Sequence, residues 1–507
     1  MRILKINGSR VELSEKTAIG INYQSSDIST IDKKRFNTTN TFQIPITAHN
    51  KQIFEFLENP NAMTDIPYEE VTVNLWDGGI HLIIDGKGYV QKSDSVYYLK
   101  VIKDGTIIDL LKETKLRDLL RDNFQDLGAG YASWGAMLTD IQVNNVNGYC
   151  IPYWAFEWND FQNVSWMKLL DGGFGIFLTN VFEMIETLTG YSLVNAGTLT
   201  DDSVFQKMVM PLYDVVPFKP YGANYNLFLF NSGTIPTYFQ SAMIDSNYDY
   251  YGGKTVMDFL KAVSVMFNCI MDFDYINDEI SLYKFNDIAA GVVNDWSGKV
   301  IKATKKYELG KYAENNYIEW NKKDTLVSED AGTFIITSNN INLKENATNK
   351  IDLMIPNSGV SYTNPWYSIG SLSAGGPFTW YAEYMKPEPL KNMLFFVLDA
   401  ATIQAYNMAI KTQTTATFGL AFETTLRDYN TVFPYDFESE YSALETMLTD
   451  PVGYDVELDL TLLDIHNFKP YELYKIDELG GTFYVNKITG YNSLSRKGTK
   501  VELFKIS

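Results

Sequence analysis

The sequence predicts an α+β protein, mainly β and multidomain, with antiparallel β-barrel or sandwich domains and short α-helical inserts. Three observations predict it. Apolar and polar residues alternate over short runs separated by Asn-Gly and Asp-Gly, the pattern of antiparallel hairpins. Helical periodicity appears only in a few short windows. Aromatics make up 14% of the chain against three His and two Cys, a composition suited to a β scaffold more than to the usual catalytic side chains.

The 507 residues suggest three to four domains at about 150 residues each. Residues 1–105 read as an N-terminal β-barrel-like domain. Ile3, Leu4 and Ile6 lead into the Asn7-Gly8 turn. Val71, Val73 and Leu75 alternate up to Asp77-Gly78-Gly79; Ile80, Leu82 and Ile84 alternate up to Asp85-Gly86; Tyr97, Leu99 and Val101 follow. One helix from Ala48 or His49 to Leu57 interrupts these strands, stopped by Asn59-Pro60.

A charged helix over about 108–124 opens an aromatic-rich α/β insert, 106–250, whose Gly-rich loops suit interfaces. Within it, Asn180 caps a helix ended by Gly190. Residues 251–310 form a helix plus β-hairpin unit. Thr255 caps it with Asp258 at N3, Val256, Phe259, Leu260, Val263 and Met266 form one face, Asn268 ends it, and the strands CIMDFDY and EISLYKF follow. Laying Phe182 on Leu260 also lays Ile185 on Val263, Leu188 on Met266 and Gly190 on Asn268. That is either a weak internal repeat or two unrelated amphipathic helices. Residues 311–507 read as a C-terminal β-domain, with a helix near Met393 to Lys411 and a closing three-stranded meander over 471–506.

The balance of 42 basic against 62 acidic residues, a net charge of −20, argues against a classical nucleic-acid binder and a polybasic membrane anchor. No secretory leader is expected from MRILKINGSRVELSEK, and no apolar run is long enough for a membrane-spanning helix. With no CxxC there is no zinc ribbon or redox pair, and whether Cys150 and Cys269 pair is not legible.

Motifs for phosphate cradles, dinucleotides, zinc proteases and serine hydrolases are absent from the sequence. His49, His81 and His466 lie in no signature and read as structural or surface residues. Asp272 and Asp274 share a face of a predicted strand, a spacing that would suit a glycosidase pair or a metal without assigning either. Asp245, Asn247 and Asp249 imitate a calcium loop, but Tyr250 and Val256 replace its glycine and glutamate, so it is rejected. The Asp171-Gly172-Gly173 and Ala374-Gly375-Gly376 loops lack the features that hold phosphate. The expectation is therefore no catalytic, cofactor-binding or metal site, no cofactor, and no enzyme activity.

Residues 33–59, KKRFNTTNTFQIPITAHNKQIFEFLEN, resemble a segment near the start of tail proteins from phages of the Bacteroidetes. The matching positions are Phe36, Thr41, Phe42, Ile44, Pro45, Thr47, Asn50, Ile53 and Phe54. Residues 254–285 look like the helix-plus-hairpin unit of phage tail-hub proteins, and ELYKIDELGGTFYVNKITGYNSLSRKGTKVELFKI is similar to the last strands of such proteins.

The resemblance implies two related β-barrel domains with α/β inserts, in a virion component at the tip of the tail tube or baseplate. It further implies a chain that joins the tube to spike, fibre or baseplate proteins and lines the DNA path. Its expected partners are other phage tail proteins and itself, in a closed ring that favours a trimer over a hexamer. DNA would pass without specific binding. The alternatives are a distal tail or adaptor ring, a tail-associated cell-wall or polysaccharide-degrading enzyme, and a carbohydrate-binding receptor module.

Overall fold

A computed structural model describes residues 2–15, 17–24, 37–61, 63–92, 95–103, 105–122, 148–150, 174–193, 199–212, 253–274, 277–306, 313–320, 333–340, 343, 346–351, 354–356, 393–411, 418–432, 436–494 and 498–506. It is mainly antiparallel β-sheet with few helices. The calcium-loop imitation and the Asp171 and Ala374 glycine loops lie outside the described residues, as does most of the aromatic 125–250 stretch.

The N-terminal strands are β1 (Ile3–Ile6), β2 (Ser9–Val11), β3 (Ile21–Tyr23), β4 (Thr38–Thr39) and β5 (Phe42–Pro45). After α1 (Ala48–Ile53) come β6 (Val71–Asp77), β7 (Ile80–Lys92) and β8 (Val96–Ile102). The Asn7-Gly8 turn forms as expected, with both residues at positive φ, the hairpin geometry that favours this dipeptide. Two expectations are corrected. The first helix stops at Ile53, short of Leu57, because Glu55 and Phe56 swing to φ +51 and +55. Asp85-Gly86 does not turn the chain, for β7 runs straight through it. Asp85 sits at φ +45 in a bulge and bonds to Asn74 on β6, which absorbs the irregularity without ending the strand.

The expected 108–124 helix is two helices, α2 (Gly105–Glu113) and α3 (Leu116–Asp122). Between them the chain turns aside to pair with the segment before the next long helix: Leu116 N–H donates to the Lys254 carbonyl, and Val256 N–H donates to the Thr114 carbonyl. Strands β9 (Tyr149–Cys150) and β10 (Phe174–Phe177) lead to α4 (Leu178–Thr189), followed by β11 (Met208–Leu212). Gly190 ends α4 at φ +71 as its position predicted, but Phe177 rather than Asn180 is the N-cap.

In α5 (Val256–Met266) the Thr255–Asp258 capping box is present, and nine of its eleven residues are buried. The hairpin β12 (Cys269–Asp274) and β13 (Glu279–Lys284) follows. Cys269 is a buried thiol against the Phe267 carbonyl. The helix of the suspected repeat recurs in α4 and α5, whose Phe182 and Phe259 rings meet edge-on. Among the described residues, α4 is followed by a bridge from Ser192 to Glu279 of β13.

Beyond α6 (Phe285–Ala289) come β14 (Val293–Asp295), β15 (Val300–Lys306), β16 (Asn315–Trp320), β17 (Thr333–Thr337), β18 (Asn346–Ile351), β19 (Met354–Pro356), β20 (Met393–Lys411) and β21 (Phe418–Val432). The helix expected over 393–411 is instead strand β20, antiparallel to β21 from Val397–Val432 to Lys411–Phe418. Helix propensity is a weak prior that a long ladder overrides. The chain closes with α7 (Phe437–Thr449), β22 (Gly453–Leu458), α8 (Leu462–His466), β23 (Leu473–Ile476), β24 (Gly481–Tyr491) and β25 (Thr499–Lys505); the last three are the expected meander.

Among the described residues, strands from both ends of the chain form one 14-stranded sheet, in the order β15-β22-β25-β24-β3-β4-β8-β7-β6-β1-β2, with β23 branching from β24 and carrying β14, and β5 branching from β8. The seam is β3 against β24, where Tyr23 faces Ile488 and Ile21 faces Tyr491. One core runs beneath it, with Leu4, Val73 and Leu99 in the same cluster as Tyr474, Phe483 and Leu503. A second core gathers α2 to α5, the β12–β13 hairpin, part of the parallel and antiparallel sheet β17-β16-β18, and α7.

Candidate functional site

Three chain segments meet at a small, open polar cleft. The N-terminal sheet supplies Tyr23 at the end of β3 and Lys103 just past β8. The hairpin unit supplies Asp272 and Asp274 from β12, and the α8–β23 connection supplies His466 and Lys469.

Strand alternation explains why β12 presents its acids here. Met271 and Phe273 turn into the core, which leaves Asp272 and Asp274 on the opposite face. They are the pair the sequence singled out, and their roles now separate. Asp274 is held, its Oδ2 accepting from the Lys469 Nζ at 2.8 Å and from the Asn277 amide at 3.0 Å. For Asp272, burial is the largest influence and the Asp274 charge adds to it. The Lys469 and Lys103 ammonium groups oppose both, and the carboxyl is pushed up to about 6.

The lysines are positioned from elsewhere. Lys103 is buried, its Nζ 4.9 Å above the Tyr23 ring, and its N–H donates to the Asn37 carbonyl. Burial alone would lower the Lys469 ammonium, but the Asp274 bond outweighs it and holds that group above the ordinary lysine range. Tyr474 fixes the loop under Lys469, its hydroxyl accepting from the Lys469 N–H and donating to the Lys469 carbonyl. Tyr23 meets Phe468 edge-on at 5.7 Å, and Tyr471 stacks on Tyr283 at 3.8 Å, so rings wall the charges on two sides.

The chain is similar to three solved tail proteins. With the 43 kDa tail protein of prophage MuSo2 from Shewanella oneidensis the TM-score is 0.38 at 9% identity, covering 100% of this chain and 98% of that one. With prophage tail protein gp18 from Listeria monocytogenes the TM-score is 0.34 at 6% identity, covering 99% and 94%. With the tail protein from Neisseria meningitidis it is 0.34 at 10% identity, covering 99% and 96%. No family model matches the chain, and no curated protein matches it.

The histidines stand apart from one another. His49 bonds to the Arg10 carbonyl at the surface, while His81 stacks on Trp76 at 3.9 Å and burial lowers its pKa. Only His466 reaches the cleft. Among the described residues no three His, Cys, Asp or Glu side chains are grouped to hold a metal, and no helix is long and apolar enough to cross a membrane. What the cleft presents chemically is two carboxylates, Asp272 and Asp274, with the Lys469 and Lys103 ammonium groups beside them. Sequence reasoning found its two acids and missed both lysines, because no local pattern links position 103 or 469 to position 272.

Proposed function

We propose that the chain is a structural component of a bacteriophage tail, a hub at the tip of the tail tube that joins the tube to spike, fibre or baseplate proteins. One observation carries this reading. The three segments that resemble phage tail proteins, the second and third of them tail hubs, are scattered along the sequence, yet they meet around β24. The first contributes β4, which pairs with β3, and β3 in turn pairs with β24. The second ends at Phe285, whose ring meets Tyr484 of β24 edge-on at 5.4 Å. The third contains β24 itself. Segments that resemble one family and also form one packed junction support a common origin for that junction.

In this reading the chain assembles with itself in a closed ring and resides in the virion. Such a ring needs head-to-tail contacts that close. The net charge of −20 supports a lining that repels phosphate and lets DNA pass without adhering. Electron cryomicroscopy of assembled particles, with this chain located and its copies counted, tests the proposal. Three copies at the tube tip support the hub, six favour an adaptor ring, and absence from the particle overturns both.

A further inference from the structure

We propose that copies of this chain meet head to tail, the connection between α1 and β6 of one copy docking on the β14–β15 edge of the next. The inference rests on the self-assembly proposed above and names the two faces that meet.

The first face is built to stay exposed. Phe54 turns into the core against Tyr97, but Glu55 and Phe56 follow in the left-handed region, and Phe56 lies out in solvent. Two successive non-glycine residues in that region are uncommon and costly, and strain of this kind clusters at functional segments. The connection is fastened rather than loose. Phe56 N–H donates to the Lys51 carbonyl at 2.7 Å, the Thr64 hydroxyl to Glu55 at 2.8 Å and the Tyr97 hydroxyl to Glu58 at 2.6 Å. It presents Phe56, Met63 and Tyr68 to solvent, and Tyr89 of β7 joins them through its hydroxyl bond to Glu70. Residues 55–70 hold five carboxylates and no basic residue. Glu58 is paired with Lys51 and Glu70 with Lys87, which leaves Glu55, Asp65 and Glu69 exposed around the apolar side chains.

The second face is opposite in charge. Residues 292–306 hold four Lys and one Asp. Lys299 is paired with Asp464 and Lys306 with Asp455, while Lys302 and Lys305 lie on opposite faces of β15. Among the described residues β15 pairs with β22 alone, and every position from Ile301 to Lys305 is exposed, so the buried core of the sheet stops at β22. Val292, Val293 and Ile301 of this segment are exposed apolar side chains.

Together the two places hold most of the exposed large hydrophobic side chains among the described residues, one set rimmed by carboxylates and the other by ammonium groups. Neither covers the other within one chain, since both stay exposed. In the strand order β15 ends the large sheet on one side, and β6, which follows the connection, lies near the other end. Two unlike faces on one subunit make a heterologous contact, the kind that closes into a ring. Apolar side chains supply the association, and the opposed charges fix which faces meet.

Sedimentation velocity of the full chain tests this at two exposed positions. Met63→Lys and Ile301→Glu each remove an apolar contact and set like charges across the junction. The wild type should associate in a concentration-dependent way below about 100 μM, and more weakly as salt rises from about 0.1 M to 1 M. Each variant alone should bind itself about tenfold more weakly or worse. An equimolar mixture should recover association, because the first variant keeps an intact β15 edge and the second an intact connection. A wild type that stays monomeric would overturn this contact and the ring together. Association unchanged in either variant, or not recovered on mixing, would overturn this contact and leave the ring standing. Should Ile301→Glu fail to fold, Met63→Lys and the salt profile still decide it.

Discussion

Asn50 stands in for a β-strand beside Glu12: its side-chain Oδ1 accepts from the Glu12 N–H at 2.9 Å and its Nδ2 donates to the Glu12 carbonyl at 2.8 Å. The same Nδ2 donates to the Pro45 carbonyl, and the residue is fully buried. One side chain thus ties the Glu12 backbone, through both its N–H and its carbonyl, to the end of β5. Thr47, another position of the tail-protein resemblance, caps the helix that carries Asn50. At these two positions the resemblance records how α1 is fastened to the sheet rather than a reactive group.

Asn50→Ala should therefore cost about 1–3 kcal/mol, because it removes three hydrogen bonds of a buried side chain and leaves a void. Thermal or urea denaturation checks this, and His49→Ala beside it, exposed and bonded only at the surface, should cost under about 1 kcal/mol.

Gly88 lies on β7 where a Cβ would fall 2.7 Å from Val73 Cγ2 and 2.8 Å from Leu99 Cδ1. Both neighbours are buried core residues and cannot swing away. Gly88→Ala should destabilise by about 1–3 kcal/mol through overpacking, read as a lowered urea midpoint with an unchanged slope.

Asp464 supplies a pH test of stability. Burial alone would raise its carboxyl, but bonds from Lys299 Nζ, at 2.6 Å, and from Thr461 outweigh burial and hold it below the ordinary carboxylate range. Its contribution is complete above the unfolded pKa of about 4 and is lost as pH falls through the folded value. Asp464→Asn should cost about 1–2 kcal/mol at pH 7. Denaturant titrations at pH 7 and near pH 2 should show the difference shrinking toward zero in acid.

The net charge of −20 predicts negligible affinity for duplex DNA. Fluorescence anisotropy at about 150 mM salt should give no binding below roughly 100 μM, the weak end of nonspecific DNA binding. Tight binding would contradict a path that DNA merely crosses.

Local features were legible because their causes are local. Asn7-Gly8 turns because both residues tolerate positive φ, α5 begins at Thr255 because its hydroxyl and Asp258 exchange bonds with backbone N–H groups, and the closing meander follows from alternation and glycine turns. Reading failed where a distant partner decided the outcome. The 108–124 helix breaks to bond residues 254–256, and β20 is a strand because β21 lies beside it.

By itself, then, the sequence determined a mainly β protein with few recognisable chemical motifs, and it marked Asp272 and Asp274 as sharing a face. The tertiary structure alone decided that both ends of the chain share one sheet through β3 and β24, and that Lys103 and Lys469 converge on those acids. The physical reason is that alternation encodes which face of a strand is buried but not which strand lies beside it. A carboxyl's environment is likewise set by groups distant in sequence, such as Lys103 and Lys469 around Asp272, that only packing brings near.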